Sequence, residues 1–500
     1  ARAALKKIRM HPRVREQRLF QLLVSFGHFE EASEISRKVL ARKRRPDLTL
    51  LFKAGLAEWL GGDPEIALIH FEKHLSRRHD LRARFFRAMV LRDLGRVQSA
   101  IDGWRALVKD DKEGYYGVLA ASRLSEVGGG DRDNRRQLLP LQPSDLVDII
   151  SEESPVVRDL SGGDLLSSGK KELRSMDELF VEVVENLGAV SPRLERSRMA
   201  YKYGMMDVAR RELKTAVMEF LRARRARGSF RRYLTRTAGS TLDNRRPTRG
   251  VWGHAPNRFG RLWKNAKDRR ALINRIQGMY MSWRDGRLES LVRLLDRLDE
   301  PMLPRIYSLY RGGGRSTANQ TFQEWAYPMP WRDATESAGR NAGVPSVLLH
   351  TVMNIESAFY PRAVSRAGAR GLFQLMPQTA TRLAYEMGEA PPNLEALLTK
   401  EISLKYGSRY LSKLIEEFQG QIPLVLAGYN AGPHRVKSWL KQRGEVPLDV
   451  FVELIPFAQA RGYVKKGISR LTSTLRVHSR TRGLYIPRKL ESSTAGLLDY

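Results

Sequence analysis

V-P-S-V-L-L-H-T-V-M-N-I-E-S-A-F-Y-P-R-A-V-S-R-A-G-A-R-G-L-F-Q-L-M-P-Q-T-A, from Val344 to Ala380, is the stretch from which the rest of the chain can be read. Pro345 suits the first position of a helix, and Leu348, Val352, Ile355 and Phe359 recur at helical spacing as an apolar stripe. Pro361 is expected to stop that helix, because the residue before a proline is pushed out of the helical region. Glu356 then falls in the last turns, at the edge of the apolar face. Desolvation and the negative end of the helix dipole both raise the pKa of a carboxyl placed there. Such a carboxyl holds a proton near neutral pH and can donate it, the task of a general acid. Gly368, Ala369 and Gly371 follow on a short connection where backbone can approach closely. Gln374 and Met376 flank Leu375 ahead of Pro377, and an amide beside a thioether suits the polar edge and apolar face of a sugar ring.

The pattern E-S-x-F-x-P-x-A-x-S-x-x-G-A-x-G-L-x-Q-x-M-P-x-T-A, met from Glu356 to Ala380, resembles the signature of the soluble lytic transglycosylase family. Two further stretches come in that family's order: Ala427-Gly428-Tyr429-Asn430-Ala431-Gly432-Pro433, followed by Val436 and Trp439, and Phe451 to Phe457 running on to Arg461-Gly462-Tyr463-Val464. The last motif departs from the usual I-P-F-x-E-T-R, with Gln459 and Ala460 in place of Glu and Thr. That change leaves Glu356 untouched and bears on the hydrogen bonds that support it. The resemblance implies a lysozyme-like α+β catalytic domain with Glu356 as acid. It places Ser365, Gln374, Met376, Tyr429, Asn430, Glu453 and Tyr463 around the sugar. From the residues alone, Tyr429 and Asn430 equally read as turn and core, Met376 as a core filler, and Glu453 as part of a helix behind the site.

The chain has 500 residues, a net charge of +32, 42% hydrophobic residues and no cysteine. Length suggests about three domains, and neither disulfides nor a thiolate metal site can form. No apolar run is long enough for a membrane-spanning helix. The opening A-R-A-A-L-K-K, without an initiator methionine or a signal peptide, reads as a mature or trimmed chain, so targeting information is missing rather than negative; the resemblance implies the bacterial periplasm, the signal peptide removed.

Residues 1–125 carry an internal repeat. Gly27-x4-Ala32, Gly62-x4-Ala67 and Gly95-x4-Ala100 lie 35 and 33 residues apart, the period of tetratricopeptide-like helical hairpins. Residues 126–175, rich in Gly, Pro and Ser, read as a loop-rich insert. Gly204-x4-Ala209 resumes the repeat within 176–325. There, residues 221–275 hold 17 Lys or Arg against two acids, with Phe230, Tyr233, Trp252, Phe259 and Trp263 interspersed. Such a surface suits an anionic polymer, whether nucleic acid or wall polyanion. Residues 286–310 read as helix. Tyr327-Pro328-Met329-Pro330 is a stiff lead-in to a catalytic domain at 326–480, and 481–500 is a tail or docking strand.

Other chemistries fail on inspection. His70-x3-His74 has Phe71 where a zinc protease needs Glu, and no third ligand. Gly169-Lys170 lacks the first glycine of a phosphate loop, with Asp164 there, and Lys171 replaces Ser or Thr. G-x-S-x-G is missing from the sequence. The expectation is therefore a mostly α protein, a helical-hairpin superhelix ahead of a lysozyme-like domain, with no cofactor or metal. The resemblance implies that it cleaves the β-1,4 bond between N-acetylmuramic acid and N-acetylglucosamine in peptidoglycan strands without water. Two alternatives stay open: a muramidase using Glu453 as second carboxyl, and a non-catalytic scaffold binding wall, protein partners or polyanions through the superhelix.

Overall fold

The computed structural model describes residues 11–127, 138–139, 192–206, 208–216, 323–324, 326–444, 446–479 and 483–488. The chain divides into two compact units, Ala1–Val156 with Met329–Tyr500, and Val157–Pro328.

The first unit opens with helical hairpins: α1 (Pro12–Ser25) and α2 (Phe29–Ala41), α3 (Leu48–Gly61) and α4 (Pro64–Leu75), α5 (Leu81–Asp93) and α6 (Val97–Asp110), then α7 (Tyr115–Glu126). The repeat read from the glycines sets these pairs. Ala32, Ala67 and Ala100 are fully buried, while Gly27 and Gly95 turn the chain in the left-handed region at φ +80° and +75°. Close approach is enforced inside a pair too, since a Cβ on Gly55 would lie 2.8 Å from the Phe71 ring. Asp47, Asp63 and Asp80 cap α3, α4 and α5 by accepting from first-turn N–H groups, each cap contributing about 1 kcal/mol.

The C-terminal part holds α9 (Arg332–Ala342), α10 (Ser346–Glu356), α11 (Pro377–Glu386), α12 (Lys400–Glu417), α13 (Ile422–Ala431), α14 (Pro433–Arg443), α15 (Leu448–Leu454) and α16 (Ala458–His478); the second unit is taken up below. Strand structure among the described residues is slight: a two-residue parallel pair of Leu138–Leu139 with Gly483–Leu484, and antiparallel bridges from Arg370 to Val364 and Leu375.

The repeat helices and these C-terminal helices share one hydrophobic core and are joined by buried polar groups. Arg443 on α14 donates to Ser25 O on α1 (2.9 Å) and to Leu454 O (2.8 Å). Its buried guanidinium has a pKa lowered to about 10. Arg123 on α7, with no exposed side-chain surface, lies 3.5 Å from the equally buried Asp449 and donates to Ile486 O. The Ile486 N–H in turn donates to Ser122 Oγ (3.0 Å), so residues 483–488 dock on the last repeat helix.

In the second unit, helix α8 (Pro192–Lys202) is followed by Gly204 at φ +72° and a fully buried Ala209. Ser197 Oγ donates to Ala209 O at 2.7 Å, so the hairpin pattern read there is formed. Residues 221–275 and 286–310 lie outside the described residues, as do 140–175 of the insert. Among the described residues no helix is long and apolar enough to cross a membrane.

Candidate active site

Helix α10 is almost wholly buried: Val347, Leu348, Leu349, Val352 and Met353 have no exposed surface. Pro345 precedes it as N-cap. The helix ends at Glu356, earlier than the Pro361 expectation, and Phe359 does not continue the stripe as helix. Ala358 and Phe359 instead take left-handed φ of +52° and +64°, a conformation costing about 1–3 kcal/mol per residue outside glycine. Four contacts hold it. Ser357 N–H and Phe359 N–H both return to Met353 O (3.1 and 3.4 Å). Ser357 Oγ donates to Leu372 O at 2.8 Å. The Phe359 ring is buried 6.4 Å from His350, an imidazole that burial lowers to about 4. The acid is thus the last residue of a rigid helix, followed at once by a sharp reversal.

Burial raises the Glu356 carboxyl above its ordinary value, opposed by an interaction with the Tyr463 hydroxyl and by the charge of Lys466. The Tyr463 hydroxyl is buried and closes no regular hydrogen bond. Its ring stacks on Tyr429 at 6.4 Å and 7°, and Tyr410 lies against Tyr429 at 5.3 Å. The phenols of Tyr429 and Tyr463 are held well above their ordinary values, by burial first and then by the Glu356 charge. The acid therefore faces an aromatic wall from α12, α13 and α16.

The segment 363–376 closes the other side. Ser365 N–H donates to Ala369 O, and Ser365 Oγ accepts from Ala369 N–H at 3.0 Å. Gln374, at φ +46°, donates from its amide nitrogen to Ala363 O and Gly371 O, both at 3.0 Å. Its donors brace the loop, so only its carbonyl oxygen is left for a ligand. Gly371 is required by its φ of +76° and because a Cβ would meet Leu397 O at 2.2 Å. The Tyr429 hydroxyl donates to Phe373 O at 2.7 Å. Leu372 and Phe373 thereby tie the turn after Glu356 to the aromatic wall.

The structure brings Glu356, Tyr429 and Tyr463 together, with Gln374 alongside. Asn430 is half-buried in the last turn of α13, so the turn read at Asn-Ala-Gly-Pro begins only at Gly432, φ +89°. Met376 is exposed as N-cap of α11 and does not fill a core gap. Glu453 is not brought to the acid. It sits on α15 with a side chain 2% exposed, paired with Lys465 Nζ at 2.7 Å and accepting from the Tyr116 hydroxyl at 2.7 Å. At the motif's departure, Gln459 is exposed and Ala460 buried. His74 is likewise engaged, with Leu48 O at 3.0 Å and Asp80 at 3.1 Å. Sequence reasoning missed Lys466, Tyr410 and Ser357. Lys466 was findable, one helical turn after Tyr463; nothing local marks Tyr410.

Comparison with known proteins then fits this geometry. Residues 333–451 match the model of the transglycosylase SLT domain. The chain carries an SLT domain. Over 146 residues it is 34% identical to the soluble lytic murein transglycosylase of Escherichia coli strain K12, a match covering 28% of this chain and 22% of that protein. The 70 kDa soluble lytic transglycosylase of Escherichia coli matches in structure with a TM-score of 0.54 at 16% identity, over 96% of this chain and 60% of the other. An inactive mutant of the lytic transglycosylase Slt from Pseudomonas aeruginosa matches with 0.53 at 18%, over 95% and 59%. The chain thus spans about three fifths of these structural neighbours. At those identities the likeness is one of fold, a helical superhelix with a lysozyme-like domain. The SLT domain supplies the helix that ends in Glu356, the 363–376 loop and Tyr429; Tyr463 comes from beyond the matched residues.

Proposed function

We propose that this protein is a lytic murein transglycosylase of the bacterial periplasm, its signal peptide removed, acting on peptidoglycan glycan strands. The observation that carries this is the desolvated carboxyl of Glu356 against a tyrosine wall, while Glu453 is committed to Lys465 and Tyr116. A hydrolytic pair needs a second carboxyl across the bond, to hold a water or attack the sugar. The muramidase alternative loses its partner here.

In this reading Glu356 protonates the oxygen between N-acetylmuramic acid and N-acetylglucosamine. The substrate's acetamido group stabilises the cation at C1. Glu356, now a carboxylate, takes the proton from the muramoyl C6 hydroxyl, which closes on C1 as a 1,6-anhydro ring. One residue serves twice because the first step leaves it in the form the second needs. Lys466 and the Tyr463 hydroxyl stabilise the intervening carboxylate. The Gln374 carbonyl oxygen, the Ser365 hydroxyl, Asn430 and the Tyr429 edge orient the sugar, and Met376 lies against its apolar face. No metal or cofactor has a part in these steps. Contact of residues 221–275 with an anionic polymer, and of the superhelix with protein partners, belongs to the same proposal.

Turnover in water enriched in oxygen-18 tests the reaction type. Internal closure leaves the released muramoyl end free of label, whereas hydrolysis places the label on C1.

A further inference from the structure

Helix α16 lies between the active site and the repeat helices, and its two sides are held differently. Its inner side packs on α10, which ends in Glu356, and on α13, which carries Tyr429. A Cβ on Gly467 would lie 2.6 Å from the Leu426 side chain, so α16 approaches α13 closely through apolar groups. Its outer side is hydrogen-bonded to the last repeat helix. Lys465 Nζ donates to the Tyr116 hydroxyl at 2.7 Å, and both reach Glu453 at 2.7 Å. Further along that side, Ser473 Oγ donates to Glu113 at 3.4 Å and Arg476 donates to Lys112 O. Lys465 follows Tyr463 by two residues, about 3 Å along the axis and about 200° around it. The tyrosine and the lysine therefore project from opposite sides of one turn.

The Tyr463 hydroxyl closes no regular hydrogen bond, so its own tip does not fix it against Glu356. Its place is set by the ring stack on Tyr429, 6.4 Å at 7°, and by the pose of the helix that carries it. With side chains a helix has a radius of about 5–6 Å, so a roll of roughly 10° moves a group on its rim by about 1 Å. A misplacement of about 1 Å made far from the chemistry can cost about 10²-fold in rate. Charge-assisted hydrogen bonds are the strong ones, and Tyr116 supplies one to α16 within the turn that holds Tyr463.

We propose that Tyr116 is a positioning residue for the acid: by holding Lys465 it fixes the roll of α16, and that roll sets the Tyr463 hydroxyl against Glu356. The repeat superhelix then tunes the carboxyl without touching substrate. What the tuning means for catalysis rests on the transglycosylase reading above.

The Glu356 carboxyl itself reports the coupling, with no turnover needed. In the full chain labelled with carbon-13 at the glutamate carboxyls, nuclear magnetic resonance gives its titration midpoint, the signal being assigned by its loss in Glu356→Gln. The charged and titratable groups facing it are Lys466 and the Tyr463 and Tyr429 phenols, and Tyr116→Phe alters none of them and no charge. The Tyr463 hydroxyl lowers the pKa of the carboxyl. Tyr116→Phe should therefore raise the midpoint by about half a pH unit, roughly a threefold change in acid strength. In a Tyr463→Phe background the same substitution should change nothing, because the hydroxyl it acts through is gone. Ser473→Ala loosens the same side more gently and should raise the midpoint by less, which keeps the test readable if Tyr116→Phe does not fold. Gly95→Ala strains a left-handed turn with open space around its Cβ; it lowers stability away from α16 and should leave the midpoint in place. A midpoint unmoved by both α16-loosening variants overturns the proposal, as does an equal rise in the Tyr463→Phe background or in Gly95→Ala. Product analysis is read separately: reducing-end products from the unsubstituted chain would sink the transglycosylase reading and leave the coupling standing.

Discussion

The Tyr116 hydroxyl on the last repeat helix donates a 2.7 Å hydrogen bond to Glu453, 337 residues further along the chain. Lys465 Nζ reaches both, at 2.7 Å each, and lies 4.9 Å from the centre of the Tyr116 ring. The triad joins α7, α15 and α16, and α16 is the helix that sets Tyr463 and Lys466 beside the acid.

Breaking the triad should therefore cost stability according to which partner is lost. Glu453→Ala strands a largely buried ammonium and should cost about 3 kcal/mol. Tyr116→Phe removes two charge-assisted hydrogen bonds, the one donated to Glu453 and the one accepted from Lys465, at about 1.5–3 kcal/mol each. Urea unfolding of both single variants and the double variant measures this. The double should cost less than the sum, because the two changes remove the same interaction.

Glu356 should oppose folding at neutral pH. Its pKa is raised in the native protein by burial. Between the unfolded and folded values the native state binds more protons, so stability falls as pH rises through that window. Glu356→Gln carries no charge at any pH. Its melting temperature should exceed that of the unsubstituted protein at pH 7, by ~2 °C, and the gap should close below the ordinary glutamate range of about 4.3.

Tyr463→Phe should move the pH dependence of turnover. The hydroxyl lowers the Glu356 pKa, so removing it raises that pKa further. The alkaline limb of kcat/KM, where the acid is lost, should shift to higher pH. Lys466→Met should shift it the same way. A pH–rate profile of each variant reads the direction.

Gly371→Ala tests the loop. A methyl group there meets Leu397 O at 2.2 Å, in a backbone region that favours glycine. The variant should lose at least about 2 kcal/mol and, by displacing Gln374 and Phe373, most of its turnover. Gly204→Ala, at a left-handed turn with open space around its Cβ, should show only the backbone cost of a left-handed L-residue, about 1–2 kcal/mol.

Much of this was legible in the sequence because its causes are local. The hairpin repeat shows in Gly-x4-Ala spacing, since a turn needs a glycine and a close helix pair needs a small residue. Glu356 shows because an apolar stripe runs up to it. The roles of Glu453 and Gln374 were not legible. Glu453 is decided by Tyr116, which only folding brings to it. Gln374 turns its donors onto its own loop because its backbone adopts a left-handed φ, and no spacing rule marks that for a glutamine. The helix end at Glu356 was misread from Pro361 for a related reason: the buried Phe359 ring and the Ser357 hydroxyl stop the helix before the proline can.

The most direct test of the central claim is mass spectrometry of fragments released from purified peptidoglycan, with Glu356→Gln alongside. The account predicts muropeptides one water lighter than hydrolysed ones, with release by the variant reduced at least 10²–10⁴-fold. Reducing-end products, or undiminished release by Glu356→Gln, would contradict it.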